Sequence, residues 1–338
     1  MRGPIEIAHH SAYTPQGFDF ELFEGLLKSK IDPSVDRSFD WGDDSLQTAY
    51  RGASWLAATV GLPERQEQQR LSHFYATTKA LAEENSVSPL ASIDFAFPTT
   101  IVSNACVSGA QAVIEAFDSL VDGDCDVAVV TASDVITGFV TAGFQSLQAM
   151  ATGHALPFDQ RRNGLTLGSA WAEVILTRPK SDAPRIISYG CSNDANHISG
   201  PSRDGSGLAL AIERALVGID RSEIRAICAH GTATVYNDAM EARAFHTVFG
   251  GNPPPVFGIK GAIGHTLGAA GLIEVIISAL VATEGVIPPT VGFEHGEADF
   301  PLDVVHGRPR KISPGYVLTT NSGFGGMNTA IIVGPGNP

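Results

Sequence analysis

The chain has 338 residues, 43% of them hydrophobic and 17% charged, which is enough apolar material for a large buried core in one big domain or two coupled halves. A formal charge of −14 excludes a general nucleic-acid binder, while a local basic patch facing an acidic partner stays compatible with it. No apolar run reaches the ~18 residues that span a bilayer, and MRGPIEIAHH lacks the apolar centre of a signal peptide, so the expectation is a cytoplasmic protein with no membrane span. The four cysteines, Cys106, Cys125, Cys191 and Cys228, form no CxxC and read as free thiols rather than a disulfide frame or a zinc site.

In chain order, residues 5–8 form a short extended run. Amphipathic helices are predicted over 18–29 and 45–60, the second rich in alanine and closed by Gly61, and 63–70 is a charged link. LSHFYATTKA then reads as a strand entering a threonine-rich loop. The next stretch, FPTTIVSNACVSGAQAVIEAFDSLVDG, starts as β-branched extended chain and ends with Ala110, Val113, Ile114, Phe117 and Val121 on one helical stripe. Cys106 lies between the two, among small or polar neighbours that permit a sharp turn. The first turn of the helix offers unpaired N–H groups and a partial positive charge, which predicts a lowered thiol pKa. A nucleophile at a strand-to-helix turn is a reactive geometry. A buried structural cysteine fits the same residues. DVAVVTASD (126–134) has the pattern of a fully buried strand, and FDQRRNGLTLGSAWAEVILTRP reads as a loop followed by a hairpin ending near Pro179.

The second half repeats this order. RIISYG is a strand, and GLALAIERALVGI an apolar-striped helix closed by Gly218. RAICAHGTAT is a strand entering another threonine-rich loop, FGIKGAIGHTLGAAG a small-residue turn, and LIEVIISALVATEG a helix apolar nearly all round. A helix of that kind is buried on every side, as between two sheets. Two matching βα halves, 1–180 and 181–338, joined by a polar, proline-bearing link near 180–184, would stack with their core helices in the middle. His230 follows a strand and His265 precedes the buried helix, so the duplication brings both histidines and Cys106 to one crevice at the strand ends. Neither histidine has a partner at metal-ligand spacing. NSGFGGMNTAIIV sets Gly323, Gly325 and Gly326 around Phe324, either as a flexible turn or as a place where backbone N–H groups approach a reacting carbonyl.

NACVSG, PFDQRRNG, HGTATVYNDAMEA, KGAIGHTLGAAG and NSGFGG, in this order, resemble the motifs of the elongating β-ketoacyl-acyl carrier protein synthases of the thiolase superfamily, and the likeness runs from about residue 94 to 333. The resemblance implies an α/β fold of the thiolase-like, duplicated, five-layered αβαβα kind. It implies Cys106 as the acyl-accepting nucleophile, His230 and His265 as the active-site histidines, and Lys260 as the family's lysine with Glu241 as its acidic partner. Phe324 is implied as the gate beside the acyl pocket, its N–H joining that of Cys106 in an oxyanion hole, with Thr232, Thr234, Asp238 and Gly325 in support. The implied reaction is a decarboxylative Claisen condensation of the acyl group on Cys106 with a malonyl-type thioester, in fatty-acid-like or polyketide synthesis. No cofactor is implied, because the phosphopantetheine of acyl carrier protein or CoA carries the substrates. Lys260 either tunes the histidines or braces the loop through Glu241.

The sequence departs from the family pattern in several places. Ser169 replaces the glutamate of GEGAG, KSNIGH becomes KGAIGH, and GFGGTNAH becomes GFGGMNTA. The interval between LSHFYATT and Cys106 is several tens of residues shorter than in the family, which removes the part that caps the acyl tunnel. The alternatives are therefore an acyltransferase that passes the acyl group to a non-malonyl nucleophile, or a partner subunit of a heterodimeric ketosynthase. The strand TTIVS (99–103) is expected to pair across a two-fold axis in a homodimer, or with a related synthase-like subunit that supplies the missing wall. Val102→Lys is the substitution expected to break that contact.

Overall fold

The protein is described by a computed structural model that covers residues 3–14, 17–18, 24–25, 27, 70–78, 82–83, 86–87 and 99–336. The helix predicted over 45–60, the link at 63–69 and most of 18–29 and 79–95 lie outside the described residues.

Alternating apolar and small residues in both halves produce two sets of five strands with one common order. In the first set, β1 (Ile5–Thr14), β2 (Leu71–Ala76), β3 (Thr99–Val102), β4 (Val127–Asp134) and β5 (Ala170–Thr177) lie as β3-β2-β4-β5-β1. In the second, β6 (Arg185–Asn193), β7 (Ile224–Cys228), β8 (Val256–Phe257), β9 (Tyr316–Gly323) and β10 (Met327–Gly334) lie as β8-β7-β9-β10-β6. In each set the second strand runs parallel to the third and fourth, and the fifth runs antiparallel to the fourth and first. The sets join through β1 and β6, where Ile5 faces Ile186 and Glu6 faces Arg185.

Helices complete the layers. α1 (Ser108–Asp122) packs on β2 and β4 and ends at Gly123, whose φ of 80° is a left-handed cap. α2 (Gly138–Ser146) follows β4, with no residue buried. α3 (Ser206–Ala215) covers β6 and β10, with α4 (Val235–Phe249) against it. α5 (Ala270–Glu284) lies on β9 and β10 and against α1, so α1 and α5 form the layer between the two sheets. The described residues thus supply four layers of the five.

Its place explains the composition of α5, which is buried around nearly its whole circumference. By length and mean hydropathy (1.7) Leu267–Glu284, which includes Glu274 and Glu284, is the one described stretch that would suffice to cross a bilayer, but 83% of it is buried within the fold as a core helix. Two expectations change. The stretch read as a hairpin is a single strand, β5, whose partners are β4 and β1 on either side. In β3, at the edge of its sheet, Val102 belongs to the core while Ile101 is 36% exposed, so Val102→Lys would damage the interior rather than a contact surface.

The two central helices approach at their first turns. A Cβ on Gly109 would lie 2.6 Å from the Gly268 carbonyl oxygen and 2.9 Å from Leu272 N, and one on Gly271 would lie 2.7 Å from Ala110 N. Cys106 and His265 each lie a few residues upstream of these turns, so the glycine contact sets how close the two loops come. Gly271→Ala should therefore cost about 1–3 kcal/mol and lower the thermal midpoint. Gly143→Ala, in α2 with nothing within 4 Å, should leave the midpoint unchanged or raise it. Equal stability of Gly271→Ala and the wild type would refute the close-packing account.

Candidate active site

The turn into α1 is tight. Ala105 has a φ of 48°, Asn104 N–H donates to Ser108 Oγ at 2.8 Å, and the Ser108 hydroxyl donates to the Ala105 carbonyl at 2.6 Å. A left-handed alanine costs on the order of 1–2 kcal/mol, which these bonds offset. Cys106 is thereby held at the base of a cavity of about 540 Å³ that is also lined by Phe144, Thr232, His230, His265 and Phe324. The rings of His230 and His265 meet edge to face, with centroids 5.3 Å apart.

His230 lies two residues beyond β7. Its Nδ1 is 3.2 Å from Lys260 Nζ and 3.1 Å from Asn321 Nδ2. Asn321 Nδ2 also donates to Glu274 Oε2, which fixes that amide as a donor. Both neighbours of Nδ1 are donors, so Nδ1 accepts and the hydrogen of the ring is on Nε2. His265 reaches the same state by a local route, its Nδ1 accepting Leu267 N–H at 3.3 Å. Burial, reinforced for both by the Lys260 ammonium and for His230 also by His265, holds both rings well below the ordinary 6.5. Each is neutral and presents an Nε2–H edge.

The lysine corrects one expectation. Lys260 pairs with Glu274 of α5 and donates to the His230 carbonyl at 2.6 Å. Glu241, expected as its partner, instead accepts from His230 N–H at 2.8 Å, Gly231 N–H at 2.7 Å, Asn237 Nδ2 at 2.9 Å and Thr320 Oγ1 at 3.2 Å. It shapes the loop after β7 through backbone amides. Burial and then the Asp238 carboxylate push it up to about 8, against those hydrogen bonds and Lys260.

The thiol corrects another. Burial pushes Cys106 up to about 12; the Lys260 ammonium acts against this and the Asp134 carboxylate adds to it. Desolvation of the thiolate outweighs the favourable helix end on which the sequence argument relied. Cys191 is likewise raised, to about 11, and Cys228 well above its ordinary value, both by burial. Cys106 is distinguished from them by the cavity it opens on.

The supporting residues fall into place around these. Asp238 accepts Phe158 N–H at 2.7 Å and Ala233 N–H at 3.1 Å, two residues in the left-handed region (φ 61° and 66°), and so ties PFDQRRNG to HGTAT. Thr232 and Thr234 line the cavity with their hydroxyls 2.9 Å apart. Gly325 donates its N–H to the Ile198 carbonyl at 2.8 Å, away from any substrate role for that amide. Phe324, 37% exposed, packs against Phe144 with the rings tilted by 37° and their centroids 5.6 Å apart. A Cβ on Gly323 would lie 3.4 Å from Cys106 N, which places this loop against the cysteine turn. Ser169, in place of the family's glutamate, is buried and accepts Ile136 N–H at 3.0 Å. Among the described residues, no group of three or more histidine, cysteine or acidic side chains is placed to hold a metal ion.

Sequence reasoning missed Glu274, Asn321 and Asp134. Asp134 accepts from Thr78 N–H and Gly268 N–H, both at 2.8 Å, and so ties the two halves together beside Cys106. The available signal for Glu274 was a lone carboxylate within LIEVIISAL, where burial demands a partner.

Comparison with known proteins agrees with this arrangement. Residues 44–182 match the family model for the β-ketoacyl synthase N-terminal domain, and residues 184–294 that for its C-terminal domain. A Mycobacterium tuberculosis protein named 3-oxoacyl-[acyl-carrier-protein] synthase 2 is 34% identical over 248 residues, 68% of this chain and 60% of that one. A putative polyketide β-ketoacyl synthase 1 of Streptomyces halstedii is 33% identical over 254 residues, 70% of this chain and 60% of the other. The matched stretch thus spans 60% of the length of these relatives. Among solved structures, the ishigamide ketosynthase/chain length factor superposes with a TM-score of 0.85 at 25% identity, covering 100% of both chains. A β-ketoacyl synthase from Burkholderia phymatum STM815 shares the fold, with a TM-score of 0.83 at 23% identity over 99% of this chain and 100% of that one. Both halves of the family pattern are matched, in order and over most of the chain, and the protein belongs to the β-ketoacyl synthase family.

Proposed function

We propose that the protein condenses an acyl group carried on Cys106 with a malonyl-type thioester delivered on acyl carrier protein or CoA. What carries this reading is the pair of neutral histidines, each with its Nδ1 occupied by a donor, so that two Nε2–H groups face the cavity of Cys106.

In loading, Cys106 Sγ forms a bond to the acyl carbon as the thioester C–S bond of the donor breaks. The departing sulfur takes up a proton as Sγ gives one away, so this step is proton-neutral overall. That suits a thiol that burial keeps protonated. In condensation, the bond from the malonyl carbon to its carboxylate breaks and carbon dioxide leaves. The electron pair stays behind as an enolate whose oxygen accepts from His230 and His265, a charge that exists only along the reaction path. The enolate carbon attacks the acyl carbonyl, whose oxygen is received by the N–H groups of Cys106 and Phe324. Collapse releases the Cys106 thiolate, which takes one proton from water. No step calls for a further cofactor. Lys260 acts through His230, holding its Nδ1 as an acceptor and the ring neutral.

The same reading takes acyl carrier protein as the partner that brings substrate, and a second copy or a synthase-like subunit as the partner along the edge strand β3. Structures of similar fold include a type II acyl carrier protein with its ketosynthase, and ApeO with its chain length factor ApeC from Xenorhabdus doucetiae. In this chain β3 pairs with β2 alone among the described strands and carries the 36% exposed Ile101, the kind of edge that a second chain covers.

Three outcomes test the reading. Cys106→Ala should lose acylation by an acyl thioester, whereas His265→Ala should still load but lose carbon dioxide release from malonyl thioester by about a hundredfold or more; undiminished release would favour the acyltransferase alternative. Alkylation of Cys106 by iodoacetamide should rise about tenfold per pH unit from pH 6 to 9 without levelling, because the thiolate fraction grows until pH reaches a pKa that burial has raised to about 12; a plateau below pH 8 would restore the lowered-pKa view. In light scattering the wild type should run as a dimer, alone or with a synthase-like partner, and Ile101→Lys should run as a monomer; a wild-type monomer with full activity would end the dimer proposal.

A further inference from the structure

The outer rim of the cavity carries a cation that the condensation chemistry leaves unused. Arg203 and Tyr236 both line the cavity, and the Arg203 guanidinium lies over the Tyr236 ring, 4.7 Å from its centroid. Among the described residues no carboxylate is within ion-pair distance of Arg203. Its neighbour Asp204 is engaged by Ser206, through the backbone N–H at 3.1 Å and the hydroxyl at 2.8 Å. The Arg203 carbonyl accepts from Arg243, whose own guanidinium lies 5.3 Å from the Phe300 ring centroid, so a second cation backs the first. His197 shares the rim. Its Nδ1 accepts Ser199 N–H at 3.1 Å and Gly200 N–H at 3.2 Å, which leaves the ring hydrogen on Nε2 as a further donor.

A planar guanidinium braced on an aromatic face keeps its N–H fork in one orientation, and that geometry suits a phosphate better than a mobile lysine does. In a chain of net charge −14, an unpaired cation of this kind at a cavity mouth selects for an anion. The substrate reaching Cys106 must pass this rim on a pantetheine arm, whose one fixed charge is the phosphate at its outer end. We propose that Arg203, stacked on Tyr236 and assisted by His197, receives the phosphate of the pantetheine arm. This rests on the reading of Cys106 as the acceptor from an arm-borne thioester.

The test compares acyl-pantetheine with acyl-4′-phosphopantetheine, which differ by the phosphate alone, in the rate at which each loads Cys106 at subsaturating concentration. In the wild type the phosphorylated donor should load about tenfold to a hundredfold faster, the range expected for a charge-assisted hydrogen bond. In Arg203→Ala that ratio should fall to about one, and in Arg203→Lys it should lie between, while Arg178→Ala, a surface change beside Asp126, should keep the wild-type ratio. Acyl carrier protein and acyl-CoA both carry the phosphate, so Arg203→Ala should slow both. A loss confined to the carrier protein would place Arg203 on the protein surface contact, and a loss confined to CoA would place it on the nucleotide; either overturns the proposal. A wild-type ratio near one with Cys106 still loading overturns the phosphate site alone. Failure of every thioester to load the wild type overturns the functional reading beneath it.

Discussion

The site depends on one buried cation. An ammonium inside a protein must be met by acceptors, because an unpaired buried charge costs several kcal/mol. Lys260, 1% exposed, is met by the Glu274 carboxylate, the His230 carbonyl and His230 Nδ1. Those acceptors come from two places in the chain, and Asn321 of β9, a third, closes the set by bonding both Glu274 and His230. Removing Glu274 from such a pair would strand the lysine, with a penalty of about 3–5 kcal/mol. The arrangement also has a chemical effect. With two donors on Nδ1, His230 has a single neutral tautomer available, and the field of the same ammonium opposes a second proton on either histidine.

Position and ground-state reactivity oppose each other at Cys106. Asp134 and Glu274 organise the loops around the thiol, yet as carboxylates they raise its pKa along with burial, against the Lys260 ammonium and a backbone hydrogen bond. An enzyme that relied on a resting thiolate would be poorly served by this pocket. A site built to stabilise charge as it forms needs what is present here: fixed donors and no standing negative charge on the sulfur. The neutral histidines fit that logic, since a cationic imidazole beside Lys260 would itself be costly to bury.

The fold was legible where a segment's own pattern determines its environment. The stripe from Ala110 to Val121 and the all-round apolarity of Leu272 to Ala282 each specify a buried helix, and the repeated strand and helix order specifies the duplication. Pairings across the chain were less legible. Glu241 and Glu274 are both carboxylates in helices that follow a motif loop, and only the stacking of the two halves decides which one meets Lys260. Glu241 is reached by the amides of its own loop, eleven residues upstream, while Glu274 faces inward from the central layer. The helix α2 has no fully buried residue and turns only a short stripe, Val140 and Phe144, to a small cluster of Leu165, Leu167 and Leu267, too little periodicity to stand out in the sequence. For β5, the sequence contains the strand but not its neighbours, and a strand inserted between β1 and β4 resembles half of a hairpin.

The first sheet shows the same physics with the opposite outcome. With side chains alternating along each strand, His73 of β2, Thr131 of β4 and Glu173 of β5 fall on the face turned away from α1. Glu173 is buried with no cation paired to it among the described residues, and burial lifts it to about 8, so it stays protonated near neutral pH; the hydrogen bond from Thr131 opposes this only in part. His73, between Thr131 and Thr99 at 3.0 Å on either side, is pushed down to about 4 by burial and stays neutral as well. At Glu274 burial also raises the pKa, but there the Lys260 ammonium and the hydrogen bonds from Lys260 and Asn321 oppose the rise. Between Glu173 and His73 the partner they share is the Thr131 hydroxyl, and a row of polar groups crosses the sheet with burial favouring the neutral form of each. The chemistry proposed here needs the first arrangement under His230, because a neutral lysine there would leave the tautomer of that ring undetermined.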